Sequence, residues 1–310
     1  MEENPENAQA ESHHRISPDF HRNPGASLRP LLRAPLRPVS LKPVSILYVL
    51  LLSGLLSFVG GCGNAAKDPL IQKANNEWIK GRNHRAVELF KAVLKKNPSG
   101  PSAEEALFRL GEIYHFSLGN SAQAIMYFQE VLQMDPKGVF SYDAQKYIAE
   151  IVEFAFKDFD QAIIEYQNLI NKFDGEDQKA DHQFRIASIY YKKQNYEQTL
   201  AELEVLLEKY PDSKWAEESR FKIVEILYTL QRCPEAREHY NHFLEKYPKS
   251  RFRKEIDFVL ASCFEEEGNL QEAYNRFKGL EGKYKYPAVL QMKLQGLQQR
   301  MKSKTRKRRR

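Results

Sequence analysis

The chain has 310 residues and carries 47 Lys and Arg against 41 Asp and Glu, a net charge of +6. Seven of the bases crowd into residues 302–310 (KSKTRKRRR), and residues 1–61 hold six bases and five acids, which leaves 34 bases against 36 acids over 62–301. The basicity belongs to a tail, so it argues little for a nucleic-acid-binding domain, and the three cysteines, Cys62, Cys233 and Cys263, form no CxxC pair of the kind a zinc site uses.

Residues 1–42 are polar, rich in Pro and Arg and without apolar periodicity, the composition of a disordered leader. From Val44 to Val59 the chain is uncharged, but a run of about 16 residues falls short of the roughly 20 that span a bilayer. A basic flank (Arg29, Arg33, Arg37, Lys42), this apolar core and the small pair Gly60-Gly61 together make residues 43–61 a signal peptide. An uncleaved signal anchor with an incidental cysteine is the alternative. The basic flank is long for a signal peptide and no Met falls between Met1 and Met126, so translation is expected to begin at a non-AUG codon near Val39 or Val44.

Val59-Gly60-Gly61-Cys62 resembles the lipobox of bacterial lipoproteins. That resemblance implies cleavage before Cys62 and acylation of the cysteine, with palmitate-type chains; two or three such chains anchor stably where one is marginal. Gly63, rather than Asp, after the cysteine implies release to the outer membrane. Residues 62–68 then form a short tether. It leads to Pro69, whose missing N–H costs nothing in the first turn of a helix.

Over residues 69–301 a helix-pair pattern recurs six times. The small residues Ala86, Ala124, Ala162, Thr199, Ala236 and Ala273 are spaced 38, 38, 37, 37 and 37 apart, a period that marks a stacked repeat array. Four residues after each stands Phe90, Phe128, Tyr166, Leu203, Tyr240 or Phe277. A second small-residue series, Ala74, Gly111, Ala149, Ala187, Val224 and Ala261, marks the first helix of each pair. Spacings of three and four to their bulky neighbours put each set on one helical face. Gly81, Gly119 and Gly268, with Asn83, Asn120, Asn195 and Asn269, fall in the turns inside the pairs. Pro98, Pro136, Pro211 and Pro248, Asp174 in the third copy and Lys285 in the last, mark the ends of second helices; Ser102, Ser213 and Ser250 are candidate N-caps of the helices that follow. Past the sixth pair, Pro287 to about Met301 is amphipathic and suits the cap that a solenoid end requires. The expected fold is all-α: a right-handed α-solenoid of about six helix pairs plus this C-terminal capping helix.

Gly111-x-x-Tyr114, Ala124-x-x-x-Phe128 and Pro136 form a tetratricopeptide signature. The period exceeds that family's usual length of about 34, the surplus falling in joints such as Tyr210-Pro211-Asp212-Ser213. This long repeat is similar to that of tetratricopeptide-repeat outer-membrane lipoproteins, of the type of the D subunit of the barrel-assembly machinery and the Tol-Pal coordinator. In such arrays the first helices line the concave surface. Six residues before each first-helix small residue stands an acid (Asp68, Glu105, Asp143, Asp181, Glu218, Glu255). Three before it comes Ile71, Phe108, Lys146, Phe184, Phe221 or Phe258, and four after it Trp78, His115, Glu153, Tyr191, Tyr228 or Glu265. The candidate peptide groove is therefore Glu105, Phe108, Asp181, Phe184, Tyr191, Glu218, Phe221, Tyr228, Glu255 and Phe258, suited to a partner with basic and apolar side chains. An acid in a first helical turn is also favourable against the helix dipole with no ligand at all.

His239 and His242 share a helix face without an evident third ligand, so no metal is expected. Cys233 and Cys263 are read as two separate buried thiols, with a disulfide as the alternative, because spacing does not establish the geometry. The tail has anionic lipid or cell-wall polymer as possible partners, or is a solvated end. There is no Gly-rich phosphate loop, G-x-S-x-G or H-E-x-x-H, so neither catalysis nor a cofactor is expected. The resemblances imply a scaffold, lipid-anchored through Cys62 on the periplasmic face of the outer membrane, whose groove binds other envelope proteins and no nucleic acid. Outer-membrane protein assembly is the first functional reading; an adaptor of cell-wall or division machinery is the alternative.

Overall fold

The computed structural model describes residues 68–308; the expected leader and signal peptide, Cys62 and most of the expected tether lie outside the described residues. Residues 64–310 form one compact unit. Thirteen α-helices and no strand occur among the described residues: α1 (Pro69–Ile79), α2 (Asn83–Lys96), α3 (Pro101–Glu112), α4 (Ser121–Met134), α5 (Ser141–Ile151), α6 (Phe159–Lys172), α7 (Glu176–Lys192), α8 (Tyr196–Lys209), α9 (Ala216–Thr229), α10 (Cys233–Lys246), α11 (Arg253–Glu266), α12 (Leu270–Gly279) and α13 (Pro287–Arg308). Each packs on its neighbours in chain order, giving six pairs and a terminal helix stacked as a solenoid.

Both small-residue ladders are buried, from Ala74 to Ala261 in the first helices and from Ala86 to Ala273 in the second. They bring the paired helices close enough for rings such as Phe90, Phe128 and Phe277, all fully buried, to fill the contact. At Gly111 the approach is close: a Cβ there would stand 2.5 Å from the Phe128 ring. Inside every pair one residue with φ between 57° and 77° turns the chain, a Gly at 81, 119 and 268 but Lys157, Gln194 and Gln231 in the other three. Asn120, Asp158, Asn195 and Asn269 then cap α4, α6, α8 and α12 by accepting from the backbone N–H three residues on.

Four local features depart from the sequence expectations. The serines are not the N-caps: those positions fall to Gly100, Trp215 and Phe252. Ser102 already lies inside α3, while the joints of Ser213 and Ser250 make an extra turn before their helix begins, and in the second Ser250 accepts from the N–H of Phe252 at 2.9 Å. The last second helix, α12, stops at Gly279, well before Lys285. Cys233 and Cys263 are bonded as a disulfide rather than two thiols, with Cα atoms 5.4 Å apart. The start of α10 lies directly against α11, a proximity set by helix packing and not by sequence spacing.

The fourth feature is an inserted residue. In units two and three, 13 residues separate the two small residues (Gly111 to Ala124, Ala149 to Ala162), against 12 in the other four. The chain absorbs the extra residue by widening the end of the first helix into a π-helical turn, Ile113–Ser117 after α3 and Val152–Phe156 after α5. Such turns mark insertions into helices and recur at functional sites.

At the far end, Leu290, Leu294 and Leu297 of α13 cover Phe258, Leu270, Phe277 and Leu280. The helix continues past Met301 to Arg308.

Candidate functional site

Four of the acids six before the small residues, Asp68, Asp181, Glu218 and Glu255, face the joint that follows their own unit. Asp181 accepts from the Trp215 indole N–H at 2.5 Å and from Lys214 Nζ; Glu218 pairs with Arg251 at 2.9 Å and Glu255 with Lys285 at 3.7 Å. Asp68 caps α1 and also accepts from Asn97. In unit two this role passes to the neighbour of Glu105: buried Glu104 accepts from the backbone N–H of Phe140 at 3.0 Å, while Glu105 itself is half-buried.

The rings three before the small residue enter the same joints. Phe108 stacks on Phe140 (centroids 4.8 Å apart), Phe184 on Trp215 (4.2 Å), Phe221 on Phe252 (4.6 Å) and Phe258 on Tyr284 (4.6 Å). All four phenylalanines are buried, none more than 6% exposed. As groove rungs Phe108, Phe184, Phe221 and Phe258 are therefore corrected: the long joints need filling, and these rings fill them, leaving no face for a ligand. Cations overlie the outer partners, Lys214 on Trp215, Arg251 on Phe252 and Arg109 on Phe140.

Four residues after the small residue, the side chains divide. Glu153 is fully buried and holds Arg185 at 2.9 Å, Lys192 at 2.6 Å and the Tyr166 hydroxyl at 2.9 Å. Glu265 serves α13 through Lys293 and Arg300. Trp78 donates to Ser117. Tyr191 and Tyr228 are half-buried; burial raises both phenols, Tyr191 to about 12. His239 is held down by burial and His242 lies 3.7 Å from Glu245. Among the described residues no group of three His, Cys, Asp or Glu stands where it could hold a metal ion.

Two further series belong to this face, and neither figures among the sequence candidates. One residue after the small position, Glu112, Glu150 and Glu225 pair with Arg109, Lys146 and Lys222, and burial raises all three carboxyls. Five after it, the first three units carry Ile79, Phe116 and Phe154, which are 82%, 59% and 45% exposed; the last three carry Lys192, Thr229 and Glu266. Phe116 and Phe154 both stand in the π-helical turns. Phe116 rests edge-on against Tyr147 of the next unit, 5.4 Å between centroids. Phe154 lies under the Arg185 guanidinium at 4.7 Å and the Lys192 ammonium at 5.5 Å. The first half of the array thus offers exposed apolar side chains at equivalent positions of successive units, bounded by cations. The 13-residue spacing is the signal that could have located Phe116 and Phe154; Ile79 stands in a unit of 12.

Helix pairs with these ladders define a class, the tetratricopeptide-repeat proteins, and the family model for that repeat matches residues 71–139. The family is narrower. The model of the YfiO outer membrane lipoproteins matches residues 141–262 and 176–301, and the chain belongs to that family. Among solved structures, Naa15/Naa10 bound to HypK-THB aligns with a TM-score of 0.51 at 14% identity, over 76% of this chain and 34% of that one, which shows the fold alone. PilW, a type IV pilus biogenesis factor, aligns at 14% identity over 74% of this chain and 98% of its own, with a TM-score of 0.42. PilF of Pseudomonas aeruginosa aligns at 13% over 76% and 97%, with a TM-score of 0.40. No curated protein matches the sequence.

Proposed function

We propose that this chain is a protein-interaction scaffold of the bacterial envelope, lipid-anchored through Cys62 on the periplasmic face of the outer membrane, which serves outer-membrane protein assembly by binding and without catalysis. Membership of the outer membrane lipoprotein family supports the location. So does the Cys233–Cys263 disulfide, a bond that persists in oxidising compartments such as the periplasm. No described helix is long and apolar enough to cross a membrane.

The observation that carries the binding role is the row Ile79, Phe116 and Phe154: large apolar side chains exposed at equivalent positions of consecutive units. Exposed apolar side chains in a row mark an interaction surface. Towards the other end of the first helices stand the half-buried acids Glu105, Asp181, Glu218 and Glu255, the last three already engaged in the joints, and the phenols of Tyr191 and Tyr228 supply polar contacts for a segment of an envelope protein. Site-specific photocrosslinking in native envelopes tests this. Probes at Phe116 and Phe154 are expected to capture one defined partner, and a probe at buried Phe184 none. Capture at 116 and 154 no stronger than at Gln129, an exposed second-helix position, would overturn the assignment of this face.

A further inference from the structure

The terminal helix α13 has two chemically distinct halves. Its first half seals the last unit through Leu290, Leu294 and Leu297, and its cations there are spent, since Lys293 and Arg300 both pair with Glu265 at 2.8 Å. No Asp or Glu occurs anywhere from Pro287 to Arg310. Beyond Met301 the side chains of Lys302, Lys304 and Arg306 are exposed, and among the described residues no carboxylate pairs with them. The helix nevertheless runs on to Arg308. With a rise of about 1.5 Å per residue, five cations (302, 304, 306, 307 and 308) stand within roughly 9 Å along its axis.

Like charges this close repel one another. At a helix C-terminus they also meet the negative end of the macrodipole, which offsets part of that repulsion. The result is a dense cation cluster on a helix already anchored in the core, so that meeting an anionic surface costs little ordering entropy. The body of the protein, residues 62–301, carries 34 bases and 36 acids and adds no attraction of its own for a polyanion.

We propose that the basic end of α13 is a membrane contact that docks on anionic lipid headgroups. The chain would then meet a bilayer at its carboxyl end as well as at its amino-terminal lipid. A bilayer is favoured over nucleic acid because the chain belongs to a family of outer membrane lipoproteins. A polybasic segment and an acyl anchor on one chain are two signals that add in membrane attachment. The inference rests on the membrane reading given above.

Residues 64–310, a compact unit that lacks Cys62, can be titrated with vesicles of phosphatidylcholine alone and of phosphatidylcholine with an equal part of phosphatidylglycerol. Binding is expected only to the second and should fade as salt shortens the Debye length from about 10 Å at 0.1 M towards 3 Å at 1 M. Each cation at an anionic bilayer is worth about a fivefold factor in affinity. Replacing Lys302→Gln, Lys304→Gln and Arg306→Gln together should therefore weaken binding roughly 100-fold. Lys172→Gln, Lys209→Gln and Lys249→Gln, on exposed positions elsewhere, should leave it within about twofold, since only the cluster is dense enough to count. Equal binding to both vesicle types, an unchanged affinity in the tail variant, or binding to a duplex DNA oligonucleotide without binding to the vesicles would each overturn the proposal. Failure of the membrane reading would appear elsewhere, as a full chain that acquires no lipid on Cys62.

Discussion

The indole of Trp215 lies on the ring of Phe184, planes 9° from parallel and centroids 4.2 Å apart, while its N–H donates to Asp181 on the same helix as Phe184. A ring and an acid three residues apart on α7 thus grip one residue of the joint before α9. Phe221 and Glu218 repeat the arrangement with Phe252 and Arg251, and Phe258 and Glu255 with Tyr284 and Lys285. The joints before α9, α11 and α13 are thus tied to the helices by a stacked ring and a paired acid each.

Trp215→Ala should accordingly behave as a core truncation. A large ring removed from a packed contact costs about 3–5 kcal/mol, and Asp181 keeps only Lys214, at a more exposed site. Urea denaturation of residues 64–310 is the measurement. A change below about 1 kcal/mol, the range of a surface substitution, would show that the joint is loosely held.

Gly111→Ala is expected to destabilise, against the usual trend. Inside a helix Ala normally gains about 1 kcal/mol over Gly. Here the added Cβ would stand 2.5 Å from the Phe128 ring, which is itself fully buried and has nowhere to retreat. Overpacking costs about 1–3 kcal/mol, so a lowered melting temperature is expected, and a raised one would mean that the α3–α4 contact can open.

How much of this was legible in the sequence follows from the same residues. Gly111, Ala149, Ala187 and their counterparts recur at a fixed period because every unit must bring two helices together, so the core and the helix pairs could be read directly. The use of Phe184 and Phe221 could not. Their stacking partners follow 32, 31, 31 and 26 residues after Phe108, Phe184, Phe221 and Phe258, and are Phe, Trp, Phe and Tyr in turn. A comparison of equivalent positions misses a contact whose register drifts. Phe116 and Phe154 were hidden for a related reason: each stands in a π-helical turn, and only the two spacings of 13 record it. The Cys233–Cys263 pairing depends on how α10 meets α11, which spacing does not encode.

The disulfide closes a loop with a sequence separation of 30, and constraint of the unfolded chain by a loop of that size is worth about 3–4 kcal/mol. In a chain carrying Cys62→Ala, thiol titration should find no free thiol before reduction and two after it. Reduction should lower the urea midpoint of the array. Two free thiols in the untreated, oxygen-exposed protein would show that the bond does not form.

His182 gives the array a definite acid sensitivity. It is 5% exposed, its Nε2 lies 3.1 Å from the Tyr142 hydroxyl and its ring stacks on Tyr166. Burial holds its pKa down to about 4 from the ordinary 6.5; Asp181 opposes that shift and Lys146 adds to it. Between those two values the unfolded chain binds a proton that the folded one refuses. The contribution is therefore whole above pH 6.5 and is lost as the pH falls towards 4, about 3 kcal/mol at roughly 1.4 kcal/mol per pKa unit. Unfolding free energies measured between pH 7 and pH 4 should fall more steeply for the natural chain than for His182→Gln, whose amide can keep a hydrogen bond to Tyr142 without titrating. Parallel pH profiles would mean that His182 takes up its proton inside the folded array, and that the α5–α7 contact opens to admit it.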